Sequence, residues 1–226
     1  MTYSLWLSFL AVALAATFSP GPGVLLAIST TMALGPRRTA YSSAGNAVGV
    51  FLVSCVAVSG VGLLFQRSPL AFTLLKAGGA CYLAWLGVKQ WRQAGAKEPA
   101  PAPAPAAREG APAQPARRER EPTPKPEDGR YAVFARGLAV ACSNPKSIVF
   151  FAAIFPQFMP IGTFSVARFL VLSLTFVACT FVSHFSYVLL AAHAGPAMLA
   201  GEGMRRFQRC MGALFVALAA AMLLYA

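Results

Sequence analysis

The chain is written as long apolar runs separated by short polar interruptions. Six runs stand out: Leu5 to Leu34, Ala44 to Phe65, Pro69 to Trp91, Tyr131 to Phe158, Phe164 to Ala192 and Phe207 to Tyr225. Each reaches or approaches the ~20 helical residues that cross a hydrocarbon core of ~30 Å. A polar stretch over residues 92–130 parts them three and three. The pattern predicts an all-α polytopic membrane protein with six transmembrane helices. Residues 1–91 form one three-helix unit, 131–226 a second, and 92–130 the linker between them. The linker opens on Pro99-Ala-Pro-Ala-Pro-Ala-Pro105 and holds nine of the seventeen prolines, so it cannot pack a core and is expected to be extended and solvated.

Two runs are interrupted. As one continuous helix the first would measure ~45 Å, too long for a straight span, and its middle reads Pro20-Gly21-Pro22-Gly23. Prolines remove backbone donors and glycines loosen the chain, so a regular helix cannot continue through four such residues. The fourth run has its own break at Ser143-Asn144-Pro145-Lys146. Irregular backbone is tolerated within a membrane only where protein buries it or it lines a water-filled cavity. A simple proline kink is the plainer reading of a single proline, but it explains the first break poorly. The two halves also match weakly: an apolar stretch follows each break, and Lys76-Ala-Gly-Gly79-Ala80-Cys-Tyr82 parallels Arg209-Cys-Met-Gly212-Ala213-Leu-Phe215. Two units of three spans have opposite orientations, which predicts an inverted repeat, with the first helix of each repeat broken and a binding site at the midplane where the breaks meet.

Composition supports the membrane reading. Of 226 residues 57% are apolar and 12% charged, about half the charge that coats a soluble domain. The net charge of +12 would suit a nucleic-acid partner, but a mean hydropathy of +0.61 leaves too little polar surface for that role. The linker carries eight basic and six acidic residues; the rest of the chain holds eleven basic residues and one acid, Glu202. Lys and Arg collect after runs one, three and five, at Arg37, Arg38, Lys89, Arg92, Arg205, Arg206 and Arg209. That bias predicts a multi-pass membrane protein with the linker in the cytoplasm and both termini outside. No basic residue precedes Arg37, so the first run reads as a retained helix rather than a cleaved signal.

The candidate chemistry is sparse. Lys146 follows Arg136 by ten residues, ~15 Å along a helix, which brings it near the bilayer midplane if Arg136 marks the interface. A lysine there costs from about 2.5 kcal/mol and is a functional candidate, with snorkelling as the plain alternative. His184 sits mid-run, where a neighbouring hydroxyl such as Thr180 could hold it structurally. Cys55, Cys81, Cys142, Cys179 and Cys210 are isolated, which suggests small buried apolar residues. No cofactor or metal is expected. Gly78, Gly79 and Gly212 could pack helices within one chain or between copies, so a homo-oligomer stays open.

Phe18-Ser-Pro-Gly-Pro-Gly23-Val-Leu-Leu26, Lys76-Ala-Gly-Gly-Ala-Cys-Tyr82-Leu-Ala-Trp85-Leu-Gly87, Phe134-Ala-Arg-Gly137, Asn144-Pro-Lys146 and Phe155-Pro156-Gln157-Phe158 together resemble the LysE/RhtB family of bacterial amino-acid exporters. The resemblance implies six spans and export of amino acids or close derivatives, drawing on the proton gradient. Gly23 stands where the family pattern has asparagine, and Val50 where many members carry a polar or acidic residue.

A zwitterionic cargo needs two partners. Helices resuming after Pro22 and Pro145 would offer free N–H groups of Gly23, Val24, Leu25, Lys146 and Ser147 to its carboxylate, with the charge of Lys146 added. For its ammonium the spans offer no acid, leaving proline-freed carbonyls and Asn46, Ser54, Ser143 and Asn144. Pro20, Gly21, Pro22, Gly23, Pro145 and Gln157 complete the candidate site. His184 and Lys146 are the groups available to carry a proton. The expected partners are an amino acid and the lipid bilayer. A metal-cation exporter would call for acids or clustered Cys, His and Met. An intramembrane enzyme or redox protein would call for a nucleophile and base, or a cysteine pair. Neither pattern is present in the spans.

Overall fold

The computed structural model of the chain describes residues 2–67, 69–95, 124–125, 128–159, 165–199 and 201–224. The Pro-Ala run and most of the linker expected at 92–130 lie outside the described residues. Every regular element among them is helical: α1 (Tyr3–Phe18), α2 (Pro22–Leu34), α3 (Pro36–Arg67), α4 (Pro69–Gly95), α5 (Arg130–Cys142), α6 (Pro145–Val149), α7 (Val166–Leu199) and α8 (Glu202–Leu224).

Both breaks fall where the prolines and glycines placed them. Helix α1 gives way at Ser19–Gly21, and α2 restarts on Pro22 at a bend of 50°. Proline suits that first helical position because its missing N–H would have had no partner there. The second break separates α5 from α6 by 48°. There Asn144 caps the new helix, its Oδ1 accepting the Lys146 N–H at 3.0 Å. Beyond α6 the expected helix to Phe158 departs from α geometry, with a π-helical turn over Phe150–Ile154 and a 3-10 turn over Phe155–Phe158. Pro156 cannot donate to the carbonyl four residues back and its ring crowds it, so the ladder must widen there.

Helices α3 and α7 each contain a segment long and apolar enough to cross a bilayer, Pro36–Ser59 and Val166–His193, and each bent pair qualifies if taken as one span. The described residues therefore hold two such spans, or up to four. Helices α4 and α8 cover runs three and six but do not meet the same test. Several helices outgrow their runs: α3 begins at Pro36, α7 continues to Leu199 and α8 starts at Glu202.

Polarity across α7 is arranged as a lipid-facing helix requires. Leu170, Leu174, Phe181, Phe185 and Leu189 are exposed, while Ser173, Thr180, Ser183 and His184 are buried. Small residues bring the helices together, as expected where lipid supplies no hydrophobic drive. A Cβ on Gly45 would strike the Phe134 carbonyl and one on Gly137 the Ser42 carbonyl, so α3 and α5 touch through backbone. Between α4 and α8 a Cβ on Gly87 would stand 2.6 Å from the Gly212 oxygen. Gly212 thus packs within the chain, whereas Gly78 has nothing within 4 Å of its Cβ position.

An aromatic cluster fills the core next to the breaks: Phe9 meets Phe155 and Phe158 at centroid distances of 5.9 and 5.1 Å, and Phe150 meets Phe176 at 4.5 Å. The cysteines correct an expectation. Only Cys179 is buried; Cys81, Cys142 and Cys210 are exposed and Cys55 partly so. Isolated cysteines on outward helix faces behave as small apolar side chains, which the hydropathy pattern alone cannot tell from core. In the weak repeat match of α4 and α8, Gly79 and Gly212 are both buried, whereas Ala80 is buried and Ala213 exposed.

Candidate functional site

The two breaks meet. Between them lies a cavity of about 440 Å³, mouth included, bordered by Ser19, Gly21 and Gly23 from the first, Asn144, Lys146 and Ser147 from the second, and Asn46, Thr180 and His184 from α3 and α7. Of the residues singled out from sequence, Gly21, Gly23, Asn46, Asn144, Lys146 and His184 line it. Pro20, Pro22 and Pro145 shape the breaks without lining the cavity.

Ser54, Ser143 and Gln157 are not among its lining. The Ser54 hydroxyl donates to the Phe51 carbonyl at 2.6 Å and the Gln157 amide to Ala153 at 2.8 Å, so each turns back on its own helix. Ser143 is exposed and terminates α5, its N–H donating to Ala139. For short polar side chains such local bonding competes with any role at a distance.

Lys146 reaches across from the second break to the first. Its Nζ donates to the Ser19 carbonyl at 2.7 Å and stands 5.9 Å from the centre of the buried Phe215 ring. The ammonium therefore caps the C-terminal, negative end of α1. The neighbouring carbonyls are also held: Ser183 Oγ donates to Thr17 at 2.8 Å and Tyr187 Oη to Phe18 at 2.7 Å. Buried Gln90 donates from Nε2 to Ser19 Oγ. Carbonyls expected to be free for a ligand are thus occupied, because a broken helix end buried in protein must find donors.

The expected N–H donors are partly spent as well. Leu25 N–H bonds Gly21 at 3.0 Å and Lys146 N–H bonds Asn144. Those of Gly23, Val24 and Ser147 have no partner among the described residues. His184 Nδ1 is paired with Ser43 Oγ at 3.2 Å, not with Thr180, whose hydroxyl donates to Phe176. Nε2 is left toward the first break, 3.4 Å from where a Cβ on Gly23 would sit.

Ser19, Thr17, Phe176 and Gln90 were not picked out from sequence. Ser19 adjoins the named break residues, so that signal was present. Gln90 shows only as a polar residue at the end of run three.

Away from the cavity, Asp128 ties the end of the linker to two helices. Its carboxylate pairs with Arg136 at 2.8 Å and its carbonyl accepts from Arg38 at 3.1 Å. The Lys125 N–H donated to the carboxylate, then Arg136, hold its pKa below the usual aspartate value.

Apolar outer faces, small-residue seams and a cavity where two broken helices meet define the class: a membrane-embedded translocator. The profile of the family described as LysE type translocator matches residues 14–226, and the chain belongs to that family. Members are translocators, not enzymes, in line with the sequence reading. Among similar proteins, a homoserine/homoserine lactone efflux protein of Salmonella typhi is 32% identical, covering 96% of this chain and 94% of the relative. A leucine efflux protein of Klebsiella pneumoniae is 28% identical over 82% and 78% of the two chains. A threonine efflux protein of Escherichia coli is 27% identical over 76% and 75%. No solved structure matches significantly.

Proposed function

We propose that this protein exports amino acids or close derivatives from the cytoplasm by alternating access around the cavity between the two breaks. The observation that carries the reading is the crossing of Lys146 from one break to the helix end at the other, beside a cavity that residues of both breaks line. The names of the three efflux relatives support an amino-acid cargo.

The six runs then form two inverted three-helix repeats, 1–91 and 131–226, in the inner membrane, with linker 92–130 in the cytoplasm and both termini outside. Helix packing supports this. Exchanging the halves maps the α3–α5 pair onto α7–α1 and the α4–α8 pair onto itself, and all three pairs are in contact. Alternating access is rocking of one half against the other. Coupling runs through the proton gradient, with His184 Nε2 and Lys146 as the carriers within reach of the cargo.

Efflux of labelled leucine, threonine and homoserine from proteoliposomes tests the reading. The wild type should export at least one of them. Lys146→Ala and Pro22→Ala should be impaired, and normal rates in both would sink the site assignment.

A further inference from the structure

Three consecutive carbonyls end α1, and they are held differently. Thr17 and Phe18 accept from neutral hydroxyls, Ser183 and Tyr187, one turn apart on α7. Ser19 accepts from an ammonium on the other half of the molecule. Ser19 and Lys146 line the cavity, while Phe18 and Tyr187 do not. Behind Ser19 stands Gln90, 4% exposed, whose Nε2 is spent on the Ser19 hydroxyl and whose Oε1 is buried without a hydrogen-bond partner among the described residues. A buried amide oxygen without a donor is uncommon and calls for an explanation.

Resting on the export reading, we propose that the Ser19 carbonyl is the seat of the cargo's α-ammonium, and that it opens only when the cargo's carboxylate draws Lys146 away. At rest the lysine ammonium fills the place the cargo's ammonium will take. A carboxylate entering the cavity offers Nζ a charge-assisted bond, stronger than one to a neutral carbonyl. As Nζ swings to it, the negative end of α1 is uncovered. The cargo's ammonium then enters against the Ser19 oxygen, so the zwitterion inserts into the Lys146–Ser19 bond as one ion-paired unit. This accounts for recognition of an ammonium in a cavity whose lining contains no acid. It also fixes an order. An amine lacking a carboxylate meets Lys146 as a like charge and has nothing with which to move it, whereas a carboxylate lacking an amine still engages the lysine. Gln90 is a positioning residue: it holds Ser19.

The experiment uses inside-out membrane vesicles carrying the full chain, with uptake of labelled homoserine, leucine or threonine as the readout. Each transported amino acid is competed by its carboxamide, which keeps the ammonium, and by its deamino acid, which keeps the carboxylate. In the wild type the deamino acid should inhibit at concentrations at least about tenfold lower than the amide. In Lys146→Gln the deamino acid should lose that advantage, while the amide inhibits as well as before or better, because the Ser19 carbonyl is no longer occupied by a cation. An amide that inhibits as strongly as the deamino acid in the wild type overturns the proposal while leaving export intact. If the Lys146→Gln chain fails to insert, the wild-type comparison decides. Absence of uptake of all three amino acids by the wild type would overturn the export reading, and this inference with it.

Discussion

The two breaks bend their helices by nearly equal angles, 50° and 48°, yet are held by opposite means. The second is closed locally. Asn144 Oδ1 caps Lys146 N–H, the Ile148 N–H returns to the Asn144 carbonyl at 3.1 Å, and Ser143 N–H closes on Ala139. The first is closed from a distance, by Ser183 and Tyr187 of α7, Gln90 of α4 and Lys146 of α6. One break is a short-range motif and the other is assembled by tertiary structure. The lesson is that the first cannot form until three other elements have arrived, and its end can be released by moving any one of them. Under the proposed alternating access the first break is the end to be released, and the second is the arm that carries Lys146.

The comparison can be broken at four points. Replacing Lys146 by Met removes the cationic clamp on α1 and the donor that holds the Ser19 carbonyl. Amino-acid efflux should fall by about 10- to 100-fold, as expected for losing a charged hydrogen bond, measured as initial rates from proteoliposomes. Tyr187→Phe strands the Phe18 carbonyl and should destabilise the protein by about 1–3 kcal/mol. Thermal unfolding in detergent checks this, and an unchanged transition would mean that the first break does not depend on distant donors. Asn144→Ala removes a local cap and should cost about 1 kcal/mol of stability. A loss larger than that of Tyr187→Phe in the same assay would reverse the ranking of the breaks. The smallest effect belongs to Asp128, outside both breaks. Its lowered pKa means that its contribution is present above the usual aspartate range and lost as pH falls through the lowered native value. In Asp128→Asn the acid side of the stability–pH profile should flatten slightly, with efflux at neutral pH unchanged.

How much could be read in advance follows the same divide. Ser143-Asn144-Pro145-Lys146 announced where the second break falls, and its closure lay within the same residues, although Asn144 was read there as a partner for the cargo's ammonium and instead caps Lys146 N–H. Pro20-Gly21-Pro22-Gly23 announced where the first break falls but not what holds it, because Ser183, Tyr187 and Gln90 lie 71 to 169 residues away in sequence. The same reasoning led to freed carbonyls as seats for the cargo, and the structure fills them with protein donors. Ser54 and Gln157 were attractive as polar residues in apolar runs, but the hydroxyl of one and the amide of the other donate to nearby backbone carbonyls, an outcome that composition cannot reveal. Lys146 stood out because it is a cation within a body that has a single acid, and it lies where the two breaks meet. The π-helical turn after Val149 had only Pro156 as a signal, and that proline reads as readily as a helix end.

The central claim is that cargo occupies the cavity between the breaks, and substrate protection at Ser147 tests it most directly. In a chain whose five cysteines are replaced by alanine, Ser147→Cys puts one thiol on the cavity wall. Its rate of labelling by a water-soluble maleimide is measured as the transported amino acid is raised. The account predicts that labelling slows, with half-protection at the concentration that half-saturates efflux. Labelling that proceeds unchanged at saturating amino acid, in a protein that still exports it, would contradict the account.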